Sequence, residues 1–333
     1  MKTPNRDVVE NSVEARGTSS IAYRDYRPSD LMGMIYTLLG LALLGLGIWL
    51  STRSILYWLA GQLLLAVCAV QWFSLLHEAG HKTLFKSSIG NRIVGHFAGF
   101  ITAIPYASWK IVHARHHFWA GWQDVDPTTQ ALAPRSRPSW IRWTVRFCWA
   151  CWIPIFSIVY RLTNYWDLRR LWSIAERPAQ RRRIMVNMIL LLGVYACLII
   201  FFGPWLFVTF GLAWLITLVM QDLLILSQHT HVPMRLAGEN SPRAFPPHEQ
   251  DQFTRTLAFP SWFSQWILVN LDAHSLHHRF PAVPGYFLQQ VQNLAETHAP
   301  THRTPWYRWI VDARRVRGDQ LLFQNWDETG FHI

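Results

Sequence analysis

Four long apolar runs with almost no charge constrain this chain more than any other feature of its sequence. A helix needs about 20 apolar residues to cross a membrane, and most of the runs approach or exceed that length. Only the fourth run contains an acid, Asp222, which lies near its end. Hydrophobic residues make up 51% of the chain, more than a soluble domain of this size can readily bury. We therefore predict four transmembrane helices, at residues 31–50, 55–76, 185–202 and 205–226.

Very short links join the runs in pairs, at residues 51–54 and at Gly203-Pro204. Each pair should form a tight antiparallel hairpin, so that the long segments between and after the hairpins share one side of the membrane. Of the 31 Lys and Arg residues, only Arg53 falls in a hairpin tip. By the positive-inside rule, the segments outside the tips are cytoplasmic. The predicted fold is an all-α integral membrane protein with four transmembrane helices in two hairpins, a cytoplasmic helical cap and interfacial helices.

The predicted organisation is a cytoplasmic tail, residues 1–30, and a single membrane domain, residues 31–333. The tail lacks the apolar core of a cleavable signal, so the first span should act as the insertion signal. Charges and prolines interrupt the apolar stretches at 89–109 and 140–160, where we predict helices that lie in the membrane interface or half enter it. With no fused electron-donor domain and no obvious organelle address, the expected location is a bacterial plasma membrane.

The charge distribution and the positions of the cysteines argue against nucleic-acid binding and against a disulfide-bonded fold. The net charge of +11 would often suggest nucleic acid, but basic loops beside apolar spans are what membrane topology favours, so we expect no nucleic-acid partner. The four cysteines lie in or near apolar segments, which argues against a disulfide framework. Cys148 and Cys151 form a single CxxC in an aromatic run, and we expect them to pack as small apolar residues.

Ten of the 15 histidines fall in four tight groups with the patterns HEAGH, HARHH, QHTH and HSLHH. The members are His77 and His81; His113, His116 and His117; His229 and His231; and His274, His277 and His278. Residues three or four apart share one helix face, and the predicted topology puts all four groups on the same side of the membrane. These imidazoles exceed the four ligands that one zinc ion takes, so we predict two metal ions. Imidazole alone leaves zinc, copper, iron and nickel open.

The order of these boxes resembles the membrane fatty acid desaturase and hydroxylase superfamily. The similarity extends from Trp72 to Tyr286 and includes HEAGHKTLF, WKIVHARHHFWAGWQDVDPTT, QHTHVP and NLDAHSLHHRFPAVPGY. The resemblance implies a non-haem di-iron centre that activates O2 and removes hydrogen from an unactivated carbon chain. An alkyl methylene offers no acidic proton and no electrophile, so such chemistry has to be carried by a metal. A lipid or acyl chain is the implied substrate.

The resemblance also implies the ligands, residue by residue. The three histidine boxes of the family pattern correspond to HEAGH, HARHH and HSLHH. Their histidines are His77, His81, His113, His116, His117, His274, His277 and His278. His229 corresponds to an additional family ligand, whereas the role of His231 stays open. Some relatives carry an asparagine four residues before that additional histidine, but Ile225 stands at that position here, and Gln228 is a candidate replacement.

Acidic residues beside the boxes could orient imidazoles through the second ring nitrogen, or could be solvated charges or caps. The candidates are Glu78, Asp124, Asp126 and Asp272, together with the amide of Gln228. The remaining histidines match no box and are expected to pack in the interior or lie on the surface. They are His96, His248, His298, His302 and His332.

Within the implied class, desaturation is favoured by the QHTH box and the HHRFPAVPGY ending, with hydroxylation or ketolation of a lipid, alkane or carotenoid as the alternative. HEAGH also fits the HExxH motif of a zinc protease with Glu78 as general base, but that interpretation leaves HARHH and HSLHH unexplained. A metal transporter would need polar residues within its spans. Each turnover needs two electrons, and we expect a separate ferredoxin-like or cytochrome-like donor that docks on the basic cytoplasmic face.

Overall fold

The computed structural model describes residues 25–238, 241–294 and 302–323, so most of the predicted tail, with His298 and His332, lies outside the described residues. The helices are α1 (Asp30–Ser51), α2 (Ile55–His81), α3 (Ser88–Ile101), α4 (Tyr106–Trp119), α5 (Ser139–Ala150), α6 (Ile155–Arg161), α7 (Leu168–Ile174), α8 (Pro178–His229), α9 (Ser261–Phe263), α10 (His274–Arg279), α11 (Leu288–Leu294), α12 (Trp306–Arg315) and α13 (Gly318–Phe323).

Short non-α elements connect these helices. They are 3-10 turns at Gln130–Leu132, Pro247–Phe253 and Gly285–Phe287, and π-helical turns at Leu162–Trp166 and Ser264–Leu268. Strands β1 (Thr256–Ala258) and β2 (Arg303–Pro305) pair in parallel, with Thr256 opposite Arg303. The described residues are therefore mostly helical, as predicted, with one small sheet that the sequence analysis did not anticipate.

Helices α1 and α2 form a tight antiparallel hairpin joined by residues 52–54. Gly61 allows the helices to approach closely, because a Cβ atom there would lie 2.5 Å from Oγ of Ser51. Further along the pair, the indole N–H of Trp72 donates a hydrogen bond to the carbonyl of Gly40 at 3.3 Å. This hairpin turns where the short link between the first two runs predicted it.

The second predicted hairpin differs from the structure. Residues Pro178–His229 form one helix of 52 residues, and the helix continues through Gly203 and Pro204. The prediction of a two-residue turn at this point is therefore wrong. Proline is tolerated inside membrane helices because neighbouring groups satisfy the backbone groups that it frees.

Contacts on either side of Pro204 show that α8 is not straight. The hydroxyl of Tyr195 donates a hydrogen bond to the carbonyl of Phe100. The guanidinium of Arg161 donates both to the carbonyl of Thr102 and to the side-chain oxygen of Gln221. A straight helix would separate residues 195 and 221 by about 39 Å, farther than these side chains can span. Helix α8 therefore bends between them, and Pro204 in that interval is a recognised cause of a bend.

Three helices, α1, α2 and α8, are long and apolar enough to cross a membrane. Helix α5 and the segment Ile155–Trp166 meet at a bend of 118° and could together form one further span. The predicted interfacial stretch 140–160 thus consists of two helices that turn sharply near Pro154. The stretch 89–109 consists of α3 and the first turn of α4, separated at residues 102–105.

Helix α2 supplies much of the packed interior, and most of its second half is buried. Trp72, Leu75 and Leu76 lie in a core to which α1, α3, α4 and α8 also contribute. A second core, around Trp149 and Trp309, packs α5 against α12 and α13. Because α2 runs from the first core directly into HEAGH, close packing fixes the position of the first histidine box.

Candidate metal centre

Nine histidines converge in two groups where α2 and α8 end. One ring nitrogen from each member lies within 4.8 Å of those from every other member of its group. The first group is His77, His81, His113, His117 and His277, and the second group is His116, His229, His274 and His278. These are the nine residues that the resemblance named as ligands, and the structure brings all of them together.

Two of the boxes contribute to both groups. Helix α4 places His116 in the second group and its neighbours His113 and His117 in the first. Helix α10 places His277 in the first group and its other two histidines in the second. Consecutive residues on a helix point about 100° apart, so adjacent imidazoles necessarily face different sides. The helical register therefore divides each box between two sites.

Ring nitrogens in the first group lie close to one another. Nε2 of His113 is 2.8 Å from Nε2 of His81 and 3.1 Å from Nε2 of His117. Nε2 of His117 is in turn 3.0 Å from Nε2 of His277. Neighbouring nitrogens at right angles around an ion would be about 3.0 Å apart for a metal–nitrogen bond of about 2.1 Å. The spacing of these atoms fits shared coordination of an ion.

Hydrogen bonds define the protonation of the second group. Nδ1 of His116 lies 2.6 Å from Oδ2 of Asp126, and Nδ1 of His278 lies 2.9 Å from Oε1 of Gln250. Both oxygens accept, so each Nδ1 donates its hydrogen, and in the neutral ring each Nε2 presents a lone pair. These two Nε2 atoms lie 3.1 Å apart and face each other. Two lone pairs at this distance repel unless a cation lies between them, which is the arrangement of metal-bound imidazoles.

Two further observations fit a metal. Nε2 of His77 is buried and has no hydrogen-bond partner among the residues that the structure describes. Burial, reinforced by neighbouring imidazoles, also lowers the pKa of His113 and His117 on α4 and of the three box histidines on α10 well below the usual range. These histidines are therefore neutral at physiological pH, and the neutral imidazole is the form that binds metal.

The comparison with known protein families agrees with this geometry. Residues 53–309 match the family model described as fatty acid desaturase. The chain belongs to the fatty acid desaturase family. It is thus a membrane-embedded oxidoreductase of lipid metabolism, as the histidine boxes and the apolar helices predicted.

Individual relatives of the desaturase are similar at a modest level. The fatty acid desaturase of Bacillus subtilis (strain 168) is 25% identical over 267 residues, which are 77% of this chain and 71% of the relative. The sn-1 oleoyl-lipid 12-desaturase of Synechocystis is 25% identical over 265 residues, or 74% and 70% of the two chains. The sphingolipid delta(4)-desaturase of Drosophila melanogaster is 25% identical over 244 residues, or 71% and 66%.

The glutamate of HEAGH contacts a histidine of the first group. Oε1 of Glu78 lies 3.2 Å from Nδ1 of His77. Oε2 accepts hydrogen bonds from the hydroxyl of Thr83 at 2.7 Å and from the backbone N–H of Gly285 at 2.8 Å. Both carboxylate oxygens therefore have hydrogen-bond partners, and the carboxylate contacts His77 through Nδ1 rather than Nε2. This is the arrangement expected for a residue that holds a metal-binding imidazole in place.

The acidic residues near the other boxes differ in what they contact. Asp126 bonds to His116, and its second oxygen accepts the N–H and hydroxyl of Thr128. Asp124 instead accepts the backbone N–H groups of residues 237 and 238 and so ties two loops together. Asp272 accepts the hydroxyl of Ser264 at 2.6 Å, and burial raises its pKa to about 6. Asp126 is thus positioned to orient an imidazole, whereas Asp124 and Asp272 stabilise loops.

A largely apolar cavity adjoins both groups. Gln228 and Ile225 lie on its wall beside His229, so the position at which some relatives carry an asparagine is apolar here. The remaining lining residues are Phe73, His77, Trp109, His113, His116, Thr128, Thr129, Leu132, Phe156, Tyr160, Tyr165, Thr230, Leu271 and His274. Imidazoles of both groups therefore line this cavity.

The other histidines and the CxxC lie apart from the two groups. Nε2 of His231 is 2.9 Å from the carbonyl of Leu321, so this ring contacts the C-terminal segment. His96, His248 and His302 also belong to neither group. Cys148 is buried and Cys151 is exposed, and both are free thiols outside the groups.

Sequence reasoning missed two buried residues that support the histidines. Gln250 accepts from His278 while its amide nitrogen donates to the carbonyls of His117 and Phe245, which defines the direction of the amide. Arg255 donates to three carbonyls in the segment 227–231 and so holds the end of α8 where His229 lies. Neither residue is near a box in sequence, and no motif marks it.

Proposed function

We propose that this desaturase introduces a double bond into the acyl chain of a membrane lipid, with two iron ions bound by the nine histidines. The pair of facing Nε2 lone pairs on His116 and His278, beside an apolar cavity, is the observation that carries the proposal. The names of the Bacillus and Synechocystis relatives support a fatty acyl substrate.

Several contacts favour this reaction over metalloprotease chemistry. A zinc protease requires the glutamate of HExxH to act on a metal-bound water. Glu78 is instead committed to His77, Thr83 and Gly285. The first group also offers five imidazoles, more than the four-coordinate geometry that zinc prefers. Iron accommodates this set of neutral nitrogen ligands.

Bound iron would supply the activation of O2 and the abstraction of hydrogen from a methylene. Overall, one alkyl chain, one O2, two electrons and two protons yield one alkene and two water molecules. The residues of the protein would bind the alkyl chain and orient it. Phe73, Leu132 and Ile225 line the cavity and would keep water away from the reacting carbons of the alkyl chain. His113 and His116 line the same cavity.

The proposal includes a separate electron donor and a cytoplasmic centre. The excess of Lys and Arg outside the predicted hairpin tips supports this orientation through the positive-inside rule. An acidic ferredoxin-like or cytochrome-like protein would be attracted to such a face. A bacterial plasma membrane is the proposed location.

The bend in α8 supports four membrane crossings, with α8 providing two of them. Single-cysteine variants test this arrangement in a background in which the native cysteines are replaced by alanine. Thr52→Cys in the α1–α2 link should react with an impermeant thiol reagent from outside intact cells. His248→Cys should react only after the membrane is opened. Labelling of both positions from one side would contradict the proposed orientation.

Metal analysis combined with lipid mass spectrometry tests the reaction. The purified protein should contain about two iron ions per chain, and lipids of expressing cells should lose two hydrogens from an acyl chain. His116→Ala should abolish this product, whereas His248→Ala, outside both groups, should not. A gain of one oxygen instead would indicate a hydroxylase or ketolase. Zinc in place of iron, together with peptide cleavage, would indicate a protease.

A further inference from the structure

A basic and aromatic crevice lies between α5 and the residues that join α12 to α13, away from the histidine groups. Its side chains are four arginines and two tryptophans, with backbone from the intervening segment. The crevice is lined by Arg146, Trp149, Trp152, Arg314, Arg315 and Arg317. The proposed function uses none of these residues.

Arg314 forms the floor of the crevice. Its guanidinium carbon lies 4.1 Å from the ring centroid of Trp149 and 3.8 Å from that of Trp152. One N–H also donates to the carbonyl of Trp149. Stacking on two indoles holds a planar cation in one orientation, so little side-chain freedom is lost when its remaining donors bind an anion.

The crevice carries excess positive charge. Arg146 makes two hydrogen bonds to Asp319, at 2.7 and 2.8 Å, and Arg317 approaches the same carboxylate at 3.3 Å. Arg315 lies 3.5 Å from Asp312. Among the described residues, salt bridges to the four lining arginines come from these two acids alone. Arg314 makes no salt bridge among the described residues, although the buried Asp222 interacts with it electrostatically, so the four arginines outnumber the acids near them.

The outer face of α5 places this crevice beside lipid. Trp140, Trp143 and Phe147 lie three and four residues apart on one stripe and are 68%, 65% and 48% exposed. An exposed aromatic stripe on a membrane protein is typical of a helix at the level of the lipid headgroups. Arg146 and Trp149 on the same helix line the crevice, so the crevice lies next to this exposed aromatic stripe.

We propose that this crevice binds the phosphate group of an anionic phospholipid from the surrounding bilayer. Arg314, Arg315 and Arg317 donate to the phosphate oxygens, since guanidinium groups match the geometry of a phosphate. Trp152, half exposed at the rim, packs against the glycerol region. Basic pockets beside membrane helices commonly hold headgroups in this way. The site is independent of the metal centre and of the reaction proposed there.

Native mass spectrometry of the full chain in detergent, titrated with dioctanoyl phosphatidylglycerol, tests this site. The double variant Arg315→Gln, Arg317→Gln removes two exposed charges and should weaken binding about tenfold, because charge-assisted hydrogen bonds are lost. The matched double variant Arg169→Gln, Arg243→Gln removes two exposed arginines outside the crevice and should change the affinity less than about twofold. Trp152→Leu, which keeps every charge, should also weaken binding.

Comparison ligands distinguish the source of the phosphate. Phosphatidylglycerol should bind the unaltered chain more tightly than zwitterionic phosphatidylcholine and than inorganic phosphate. Equal affinity of the Arg315, Arg317 variant and its control would overturn the proposal. So would displacement of the lipid by an equal concentration of inorganic phosphate. An effect of the variant on binding of an acidic donor protein, with phosphatidylglycerol binding unchanged, would assign the crevice to protein docking instead.

Discussion

The amide oxygen of Gln250 lies 2.9 Å from Nδ1 of His278, and the amide nitrogen of the same side chain holds the backbone carbonyl of His117 at 3.0 Å. One buried glutamine therefore contacts members of both histidine groups. It defines the tautomer of His278 and links that ring to the end of α4. Its position 28 residues before His278 in sequence gives no hint of this role.

Replacing Gln250 by leucine should weaken metal binding. The substitution removes the acceptor of the His278 Nδ1–H, and loss of such a partner typically lowers metal affinity about 10- to 100-fold. Iron retained during titration with a chelator measures the effect. Gln252→Leu is the control, because the Gln252 side chain bonds only to the exposed carbonyl of Glu249. Equal iron retention in both variants would contradict the assignment.

Asp126→Asn should release iron mainly from the second group. The neutral amide is a weaker acceptor for Nδ1–H of His116, and it no longer balances the charge of a bound cation. We expect the iron content to fall toward one ion per chain and desaturation to be lost, as measured by elemental analysis and lipid mass spectrometry. Asp124→Asn is the matched control, since Asp124 contacts backbone N–H groups only. The reverse pattern would show that Asp124 is the supporting carboxylate.

Gly285→Ala should destabilise the fold near HEAGH. An added Cβ would lie 2.2 Å from the carbonyl oxygen of Val269 and 3.1 Å from the carboxylate of Glu78. Overpacking against backbone costs about 1–3 kcal/mol or more, so the melting temperature in detergent should fall. Gly193→Ala meets nothing within 4 Å on the outer face of α8 and should melt at or slightly above the parent temperature. Unchanged melting of both variants would refute the close packing at Gly285.

Raising the salt concentration should slow electron delivery from an acidic donor protein. Screening shortens the range of attraction to the basic face from about 10 Å at 0.1 M salt to about 3 Å at 1 M. Reduction of the desaturase should therefore slow with salt, as followed by stopped-flow spectroscopy. An uncharged chemical reductant should show no such dependence and serves as the control. A donor rate independent of salt would remove the electrostatic part of the proposed docking.

The clustered histidines were more predictable from sequence than the residues that hold them in position in the folded chain. Local spacing groups eight of the nine clustered histidines, because residues one helical turn apart share a face, whereas His229 was expected only from the family resemblance. The group to which each histidine belongs does not follow from spacing, since HARHH and HSLHH are both divided between groups by the register of a helix in the folded core. Gln250 and Arg255 reach the site through loops whose paths depend on long-range packing.

The prediction at Gly203-Pro204 failed for a physical reason as well. In a soluble protein this dipeptide usually ends a helix, and between two apolar runs it suggested a hairpin turn. In this chain the helix instead continues through the proline and bends, and a pattern of apolar residues alone does not distinguish a bent helix from a hairpin turn. The two apolar helical segments were therefore predicted better from sequence than the shape of the link between them.

The division of α4 between the two histidine groups has a mechanical consequence. Since His116 and His117 are neighbours on one helix, the backbone of that helix sets the distance between the two histidine groups at this point. Sliding or rotating that helix would disturb both groups at once. Changes in the surrounding loops could therefore alter which molecules reach the cavity while the interval between the two histidine groups stays constant.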